Sequence, residues 1–245
     1  MRLLKKTIIA SIHESHRPIR LKSFLRQVSV NFGGTIGRYC RGIIINKPKA
    51  VRLSVDKYKM KMLFEENNIP SFKFGGTFSN IEYPVIVKSL RHRKHRPHLT
   101  KVDNQEQMER VFSTGERWER FYWERFTEYD REFRIHVSRY KSSEVFAAEK
   151  VVREGREGWV RNNSTSRFLK DFVKPDSFWS WMVYDCKRVL KVIGLDIAGF
   201  DVAFNSRTLK YYIIEVNTAC GMGNNTRQAY VKELNKIALL KQFGL

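Results

Sequence analysis

The chain has 245 residues, 42% of them hydrophobic and 13% aromatic, with a formal net charge of +21. That is ample apolar material for one large domain or two lobes, while no apolar run approaches the roughly 20 residues of a spanning helix, which argues against a membrane protein. Leu3 to Ala10 is too short and too charged for the apolar region of a signal peptide. Cys40, Cys186 and Cys220 lack metal-like spacing and leave an odd thiol, which fits a reducing cytoplasm.

Taken in chain order, residues 1–55 carry twelve basic residues against Glu14 alone, or +11 of the net charge. Such a field attracts polyanions, so nucleic acid, an acidic protein or an anionic small molecule are admissible partners, beside the plainer reading of a basic surface that keeps the protein dissolved. Gly33-Gly34-Thr35-Ile36-Gly37 resembles a phosphate loop but lacks the following Lys-Ser/Thr. Asp56 can cap a helix through about Asn67, with Met60, Leu63 and Phe64 facing inward. Tyr83 to Ser89 predicts a short apolar strand in which Lys88 can deliver an ammonium to a buried phosphate. The loop Ser89 to His98 is glycine-free and rich in Arg, Lys and His. Asp103 with Glu106 suggests a capped helix carrying Met108, Val111 and Phe112. The run Arg117 to Trp123 interleaves base with aromatics and reads as packing rather than base stacking. Trp123 to Thr127 predicts a hinge-like connection running into an alternating strand, Arg131 to Val137.

Asp176 begins a longer helix with Trp179, Met182, Cys186, Val189, Leu190 and Ile193 inward, ended by Gly194. Phe200 to Phe204 and Tyr212 to Asn217 then form a hairpin around Asn205-Ser206-Arg207. With a period of two, Glu215 and Asn217 project from one face, and Asp201 can return beside them. Two carboxylates and an amide make a hard-oxygen set suited to Mg²⁺ or Mn²⁺ held by few protein groups and completed by phosphates, although an edge hairpin with polar residues facing water has the same spacing. A last helix from about Thr226 packs Tyr230, Leu234 and Ile237.

The order of Asp56-Lys57 opening a helix that closes in Ile69-Pro70, then Pro84-Val-Ile-Val-Lys88, Glu124-Arg-Phe126, Arg131-Glu-Phe-Arg-Ile-His-Val137, Gly194 to Val202 and Ile213 to Asn217 resembles the ATP-grasp superfamily over roughly residues 55–240. D-alanine:D-alanine ligases and ribosomal-protein glutamate ligases are the nearest relatives suggested. The resemblance implies an α+β fold of two lobes holding ATP between them, residues 56–126 and 127–245, after a short basic segment, residues 1–55, in place of the usual preceding domain. It implies that Lys57 and Lys88 hold nucleotide phosphates, that Glu124, Arg125 and Phe126 form the edge that pairs with adenine, and that Glu132 receives the ribose hydroxyls. Arg134 would lie along the phosphates, Asn163 or else Asn162 near the phosphate transferred, and Asp201, Glu215 and Asn217 would bind Mg²⁺. The sequence departs from the pattern in the glycine-free loop and in Cys220, which stands where a proline is usual.

The expected activity is an ATP-dependent ligase that activates a carboxylate as an acylphosphate and passes the acyl group to an amine, with an anionic acceptor. An ATP-grasp kinase of a small molecule, a nucleic-acid-binding protein without turnover and a structural partner subunit remain open.

Overall fold

The computed structural model describes residues 19–22, 27–34, 42–90, 99–113, 120–154 and 165–244. They form three sheets. The first has order β1-β2-β3, from β1 (Ile19–Lys22), β2 (Gln27–Val30) and β3 (Ile43–Ile45). The second has order β4-β7-β5-β6, from β4 (Phe74–Gly75), β5 (Val85–Ser89), β6 (Leu99–Val102) and β7 (Phe121–Arg125). The third has order β10-β9-β8-β11-β12, from β8 (Arg131–Ser138), β9 (Phe146–Val152), β10 (Ser166–Leu169), β11 (Ile197–Asn205) and β12 (Lys210–Asn217). Helices α1 (Pro48–Val55), α2 (Lys57–Glu66), α3 (Gln105–Ser113), α4 (Asp176–Ile193) and α5 (Asn224–Gln242) complete the α+β arrangement.

The larger core lies on one face of the five-stranded sheet. Phe133, Ile135, Phe200, Val202 and Ile213 meet Val51 of α1, Met60 and Phe64 of α2, and Met182, Cys186, Val189 and Leu190 of α4. All six α4 residues expected inward are buried. Truncating fully buried Phe200 to alanine would cost about 3–5 kcal/mol in this packing. The helix stops where its sequence says it should: Gly194 takes φ 84° and returns its amide to the Leu190 carbonyl at 2.9 Å. A second core joins Val28, Val30 and Ile45 to Tyr230, Leu234 and Ile237 of α5. Residues 1–55, read above only as a basic segment, thus supply the first sheet and α1. The four-stranded sheet keeps a separate small core of Val85, Val87, Val102 and Met108.

Three local expectations shift. The α3 cap is Asn104 rather than Asp103: its Oδ1 accepts the Gln107 amide at 3.0 Å, while the Gln107 side chain accepts from the Asp103 amide at 2.8 Å. Glu106 takes no part in that cap, because the box sits one residue later. Leu63 is only half-buried, and fully buried Lys61 occupies the inner stripe of α2 instead. Trp123, Glu124 and Arg125 lie in β7 rather than in a connection, since the strand pairs with β5 as far as Arg125, opposite Val85. The passage between the two larger sheets is therefore residues 126–130.

Candidate functional site

A cleft of about 1850 Å³ opens between the four- and five-stranded sheets. Its floor is built by register. On the antiparallel strands β8, β11 and β12, Arg134 lies opposite Asp201, and Asp201 opposite Glu215, so three ionisable side chains form a row across the sheet. The pairing shifts after Asp201, where Val202 faces Ile213, leaving Ile214 as an extra bulged residue beside the row. Asn217 follows two residues after Glu215 on the same face, and its side-chain amide donates to Glu215 at 2.8 Å. The strand parity predicted from sequence therefore holds, and the residues line the cleft instead of facing open water.

Arg134 grips Asp201 in a two-pronged ion pair, with Nη2 2.8 Å from Oδ2 and Nε on Oδ1. The guanidinium is held above its ordinary value because Asp201 more than offsets the cost of burial. Burial, reinforced by Glu215, nevertheless pushes the Asp201 carboxyl up to about 6 against the pull of Arg134 and Lys150. Burial would also raise Glu215, but the Asn217 amide and the charges of Lys57 and Arg134 hold it below the usual carboxylate range. Of the two carboxylates it is therefore Asp201 that most readily takes a proton or another cation, because burial and then the Glu215 charge act on it.

The rest of the wall is a set of paired charges. Glu132 accepts from Lys150 Nζ at 2.7 Å and from the Tyr129 hydroxyl at 3.1 Å, and Lys150 Nζ also lies 3.9 Å from Asp201. On the opposite sheet Lys88 donates to Glu124 at 2.6 Å. Burial alone would raise Glu124, but Lys61 and Lys88, with hydrogen bonds from Lys88 and Tyr122, keep it below its usual value. Lys57 opens α2 at the cleft, where Asp56 caps the helix by accepting the Lys59 amide at 3.2 Å. Arg125 lines the cleft but ties itself to Glu82, donating to its carbonyl at 2.7 Å and its carboxylate at 3.0 Å. Phe126 lines the cleft too, with Lys101 Nζ 4.7 Å from its ring centre.

The structure thus brings Lys57, Lys88, Glu124, Arg125, Phe126, Glu132, Arg134, Asp201, Glu215 and Asn217 around one cleft. Asn163, Asn162 and the basic stretch 91–98 lie outside the described residues. Sequence reasoning missed Lys61, Lys150 and Tyr129. The run Ala147 to Val152 does not alternate apolar with polar residues, so no periodicity marked Lys150, which β9 brings one strand from Glu132.

Cys220 lines the cleft and donates to the Asn217 carbonyl at 3.1 Å. Burial pushes its thiol up to about 11, which disfavours the nucleophilic thiolate. Behind it, the Tyr230 hydroxyl sits 2.8 Å from His136 Nδ1. Only glycine fits at 199: a Cβ there would lie 2.5 Å from the Cys220 sulfur and 3.0 Å from the His136 ring.

Among the described residues there is no cluster of three or more His, Cys, Asp or Glu side chains that could hold a metal by itself. No described helix is long and apolar enough to cross a membrane.

Neither a protein-family model nor a curated protein sequence matches the chain. Solved structures do. D-alanine–D-alanine ligase from Bacillus anthracis, complexed with ATP, is 12% identical with a TM-score of 0.57, over 74% of this chain and 61% of the ligase. The ATP-grasp ligase PsnB, complexed with a minimal precursor, is 15% identical with a TM-score of 0.51, over 75% of this chain and 58% of PsnB. Biotin carboxylase from Campylobacter jejuni, as a β,γ-ATP complex, is 17% identical with a TM-score of 0.56, over 77% of this chain and 45% of the carboxylase. The chain therefore spans less than two thirds of the length of these relatives. At these identities the likeness is one of fold, and the fold is ATP-grasp.

Proposed function

We propose that the protein is an ATP-dependent carboxylate–amine ligase working through an acylphosphate. A fold hosts many chemistries, so the reading rests on the site. The observation that carries it is the row Arg134–Asp201–Glu215, buried at Asp201, with Asn217 beside it and with Lys57 and Lys88 lining the same cleft.

The donor set fits Mg²⁺ or Mn²⁺. Asp201 is pushed up to about 6 beside Glu215, and a divalent cation could take the place of the proton this favours. Two carboxylates and one amide oxygen leave coordination positions for phosphate oxygens. When bound, the ion would neutralise charge gathering on the transferred phosphoryl group. Lys57, Lys88 and Arg134 orient the phosphates, because transfer needs positioned cations more than a strong base. Asn163, outside the described residues, is the residue the resemblance assigns to the phosphate transferred. The resemblance assigns adenine to Glu124, Arg125 and Phe126, where the Arg125 and Phe126 amides already donate to the Lys73 and Pro84 carbonyls at 2.7 and 3.0 Å, and it assigns the ribose hydroxyls to Glu132. A closed cleft keeps water from the acylphosphate until an amine attacks it. The basic residues 1–55 favour an acceptor that is anionic, or borne on an anionic macromolecule such as nucleic acid or an acidic protein.

Incubation with ATP, Mg²⁺ and pools of amino acids, peptides and nucleic acids tests this. ADP and phosphate released with a joined product are expected. AMP release overturns the acylphosphate route, and a phosphorylated product with no joined product means a kinase.

A further inference from the structure

Lys61 is a charged side chain inside the protein that the proposed chemistry does not use. It lies on α2 one turn after Lys57 and is wholly enclosed, and it is absent from the cleft wall. Its Nζ stands 3.5 Å from Glu124 Oε1, donates to the Ile213 carbonyl at 3.1 Å, and lies 5.8 and 5.7 Å from the ring centres of Phe64 and Phe72. Lys88 holds the other Glu124 oxygen at 2.6 Å, and the Tyr122 hydroxyl donates to Oε1 at 3.2 Å. One buried carboxylate therefore has two ammonium partners. A single partner would have sufficed, and burying the second is costly enough that the Lys61 amine is pushed down to about 8.

The two lysines differ in what they can reach. Lys88 comes from β5 and borders the cleft, where an incoming anion can draw it away from Glu124. Lys61 approaches the same carboxylate from the far side, and no ligand in the cleft can compete for it. If Lys88 turns to phosphate, Glu124 would be a buried charge without a partner, a state proteins avoid. Lys61 prevents that. Its second bond falls on Ile213, beside the extra residue Ile214 that brings Glu215 level with Asp201. One ammonium thus ties the Glu124 strand of the small sheet to the strand that carries Glu215 and Asn217.

We infer that Lys61 is a positioning residue: it keeps Glu124 compensated so that Lys88 is free to hold nucleotide phosphate, and it anchors β12 at its bulge. This rests on the nucleotide reading above, and the wild-type arm of the test separates the two. The full chain and its Lys61→Met and Lys61→Arg variants are titrated calorimetrically with Mg²⁺-ATP and with adenosine. Loss of a buried charge partner should weaken ATP binding at least about tenfold in Lys61→Met, while adenosine changes by less than about twofold and Lys61→Arg recovers most of the loss.

Equal ATP affinity in wild type and Lys61→Met overturns the inference, and so does equal weakening of both ligands, which would mark a merely structural lysine. A wild type that binds no ATP overturns the nucleotide reading itself. If Lys61→Met does not fold, ¹³C NMR of the Glu124 carboxylate in the wild type decides. Glu124 should stay ionised when ATP binds, and protonation on binding would show that Lys61 does not compensate it.

Discussion

His136 offers a test of the site's interior that needs no substrate. It lies on β8 two residues from Arg134, fully enclosed, with Tyr230 on its Nδ1. Burial first, and the charge of Arg134 second, push the imidazole down to about 3 from 6.5. A group depressed on folding contributes stability that is complete above 6.5 and is lost as pH falls toward 3. Between pH 7 and pH 5 that loss is about 2 kcal/mol, from a slope of about 1.4 kcal/mol per pH unit once below 6.5. Asp201 runs the other way. Its carboxyl is raised to about 6, so its contribution is present at low pH and lost as pH rises through 6, which returns about 1 kcal/mol over the same interval. From these two groups the wild type therefore loses only about 1 kcal/mol over the interval, and its curve alone does not isolate His136. The comparison to make is urea unfolding of wild type and His136→Gln, in which glutamine can accept from Tyr230 but has nothing to titrate. The variant should gain about 2 kcal/mol relative to wild type on going from pH 7 to pH 5, whatever its stability at pH 7. Parallel pH dependence in the two proteins would refute the reasoning.

Three further outcomes are expected. Glu215→Gln keeps the shape of the row but removes a charge, so ATP turnover should fall by at least about a hundredfold with little change in melting temperature; wild-type turnover would remove Glu215 from the metal set. Lys88→Met should weaken ATP binding more than adenosine binding, because only the phosphates lose a partner, and equal weakening in calorimetry would make Lys88 structural. Neutralising Arg17, Arg20, Lys22 and Arg26 together should flatten the salt dependence of acceptor binding on a log–log plot without abolishing ATP binding; a salt-independent affinity in the wild type would leave the basic segment as a solubility feature.

Glu215 and Asn217 were legible together because a period of two puts them on one face, and the hairpin made Asp201's strand their neighbour. What sets Asp201 level with Glu215 is the bulge at Ile214, which the sequence did not announce. The α4 stripe was legible because its periodicity and its glycine stop lie in one stretch of chain. Lys61 was not, because a lysine between Met60 and Met62 reads as a solvated position until its partners, Glu124 and Ile213, are brought in from far along the chain. The pairing of Lys150 with Glu132 depends on the register of β8 with β9, which no turn motif announces. Glu124 was assigned to a connection because a run of Trp, Glu and Arg looks exposed. In β7 its parity with Tyr122 sends both inward. The first sheet went unread because β2 pairs with β3 in parallel, a contact with no hairpin signature, and because its other support comes from α5 near the far end of the chain.

The pairing of charges bears on how such a cleft could accept a polyanion. Glu124 is shared by Lys88 and Lys61, Glu132 is bound to Lys150, and Asp201 is gripped by Arg134 with Lys150 at its edge. Lys88, Lys150 and Arg134, three of the cations that line the cleft, thus each already hold a carboxylate. Under the proposed function, nucleotide phosphate and a divalent cation enter together and can exchange partners with these pairs: phosphate takes the cationic member, and the metal takes Asp201 and Glu215. Exchange avoids burying new uncompensated charge, which is the dominant cost of a polyanion site in a low-dielectric interior. It also demands that both enter together. Phosphate alone would strip Arg134 from Asp201 and leave two carboxylates facing each other, whereas metal alone would leave Arg134 without its partner. ATP without Mg²⁺ should therefore bind more weakly than Mg²⁺-ATP, with Asp201→Asn narrowing the difference. Calorimetric titrations in EDTA and in Mg²⁺ read it directly, and equal affinities in the two would show that the Arg134–Asp201–Glu215 row does not work by exchange.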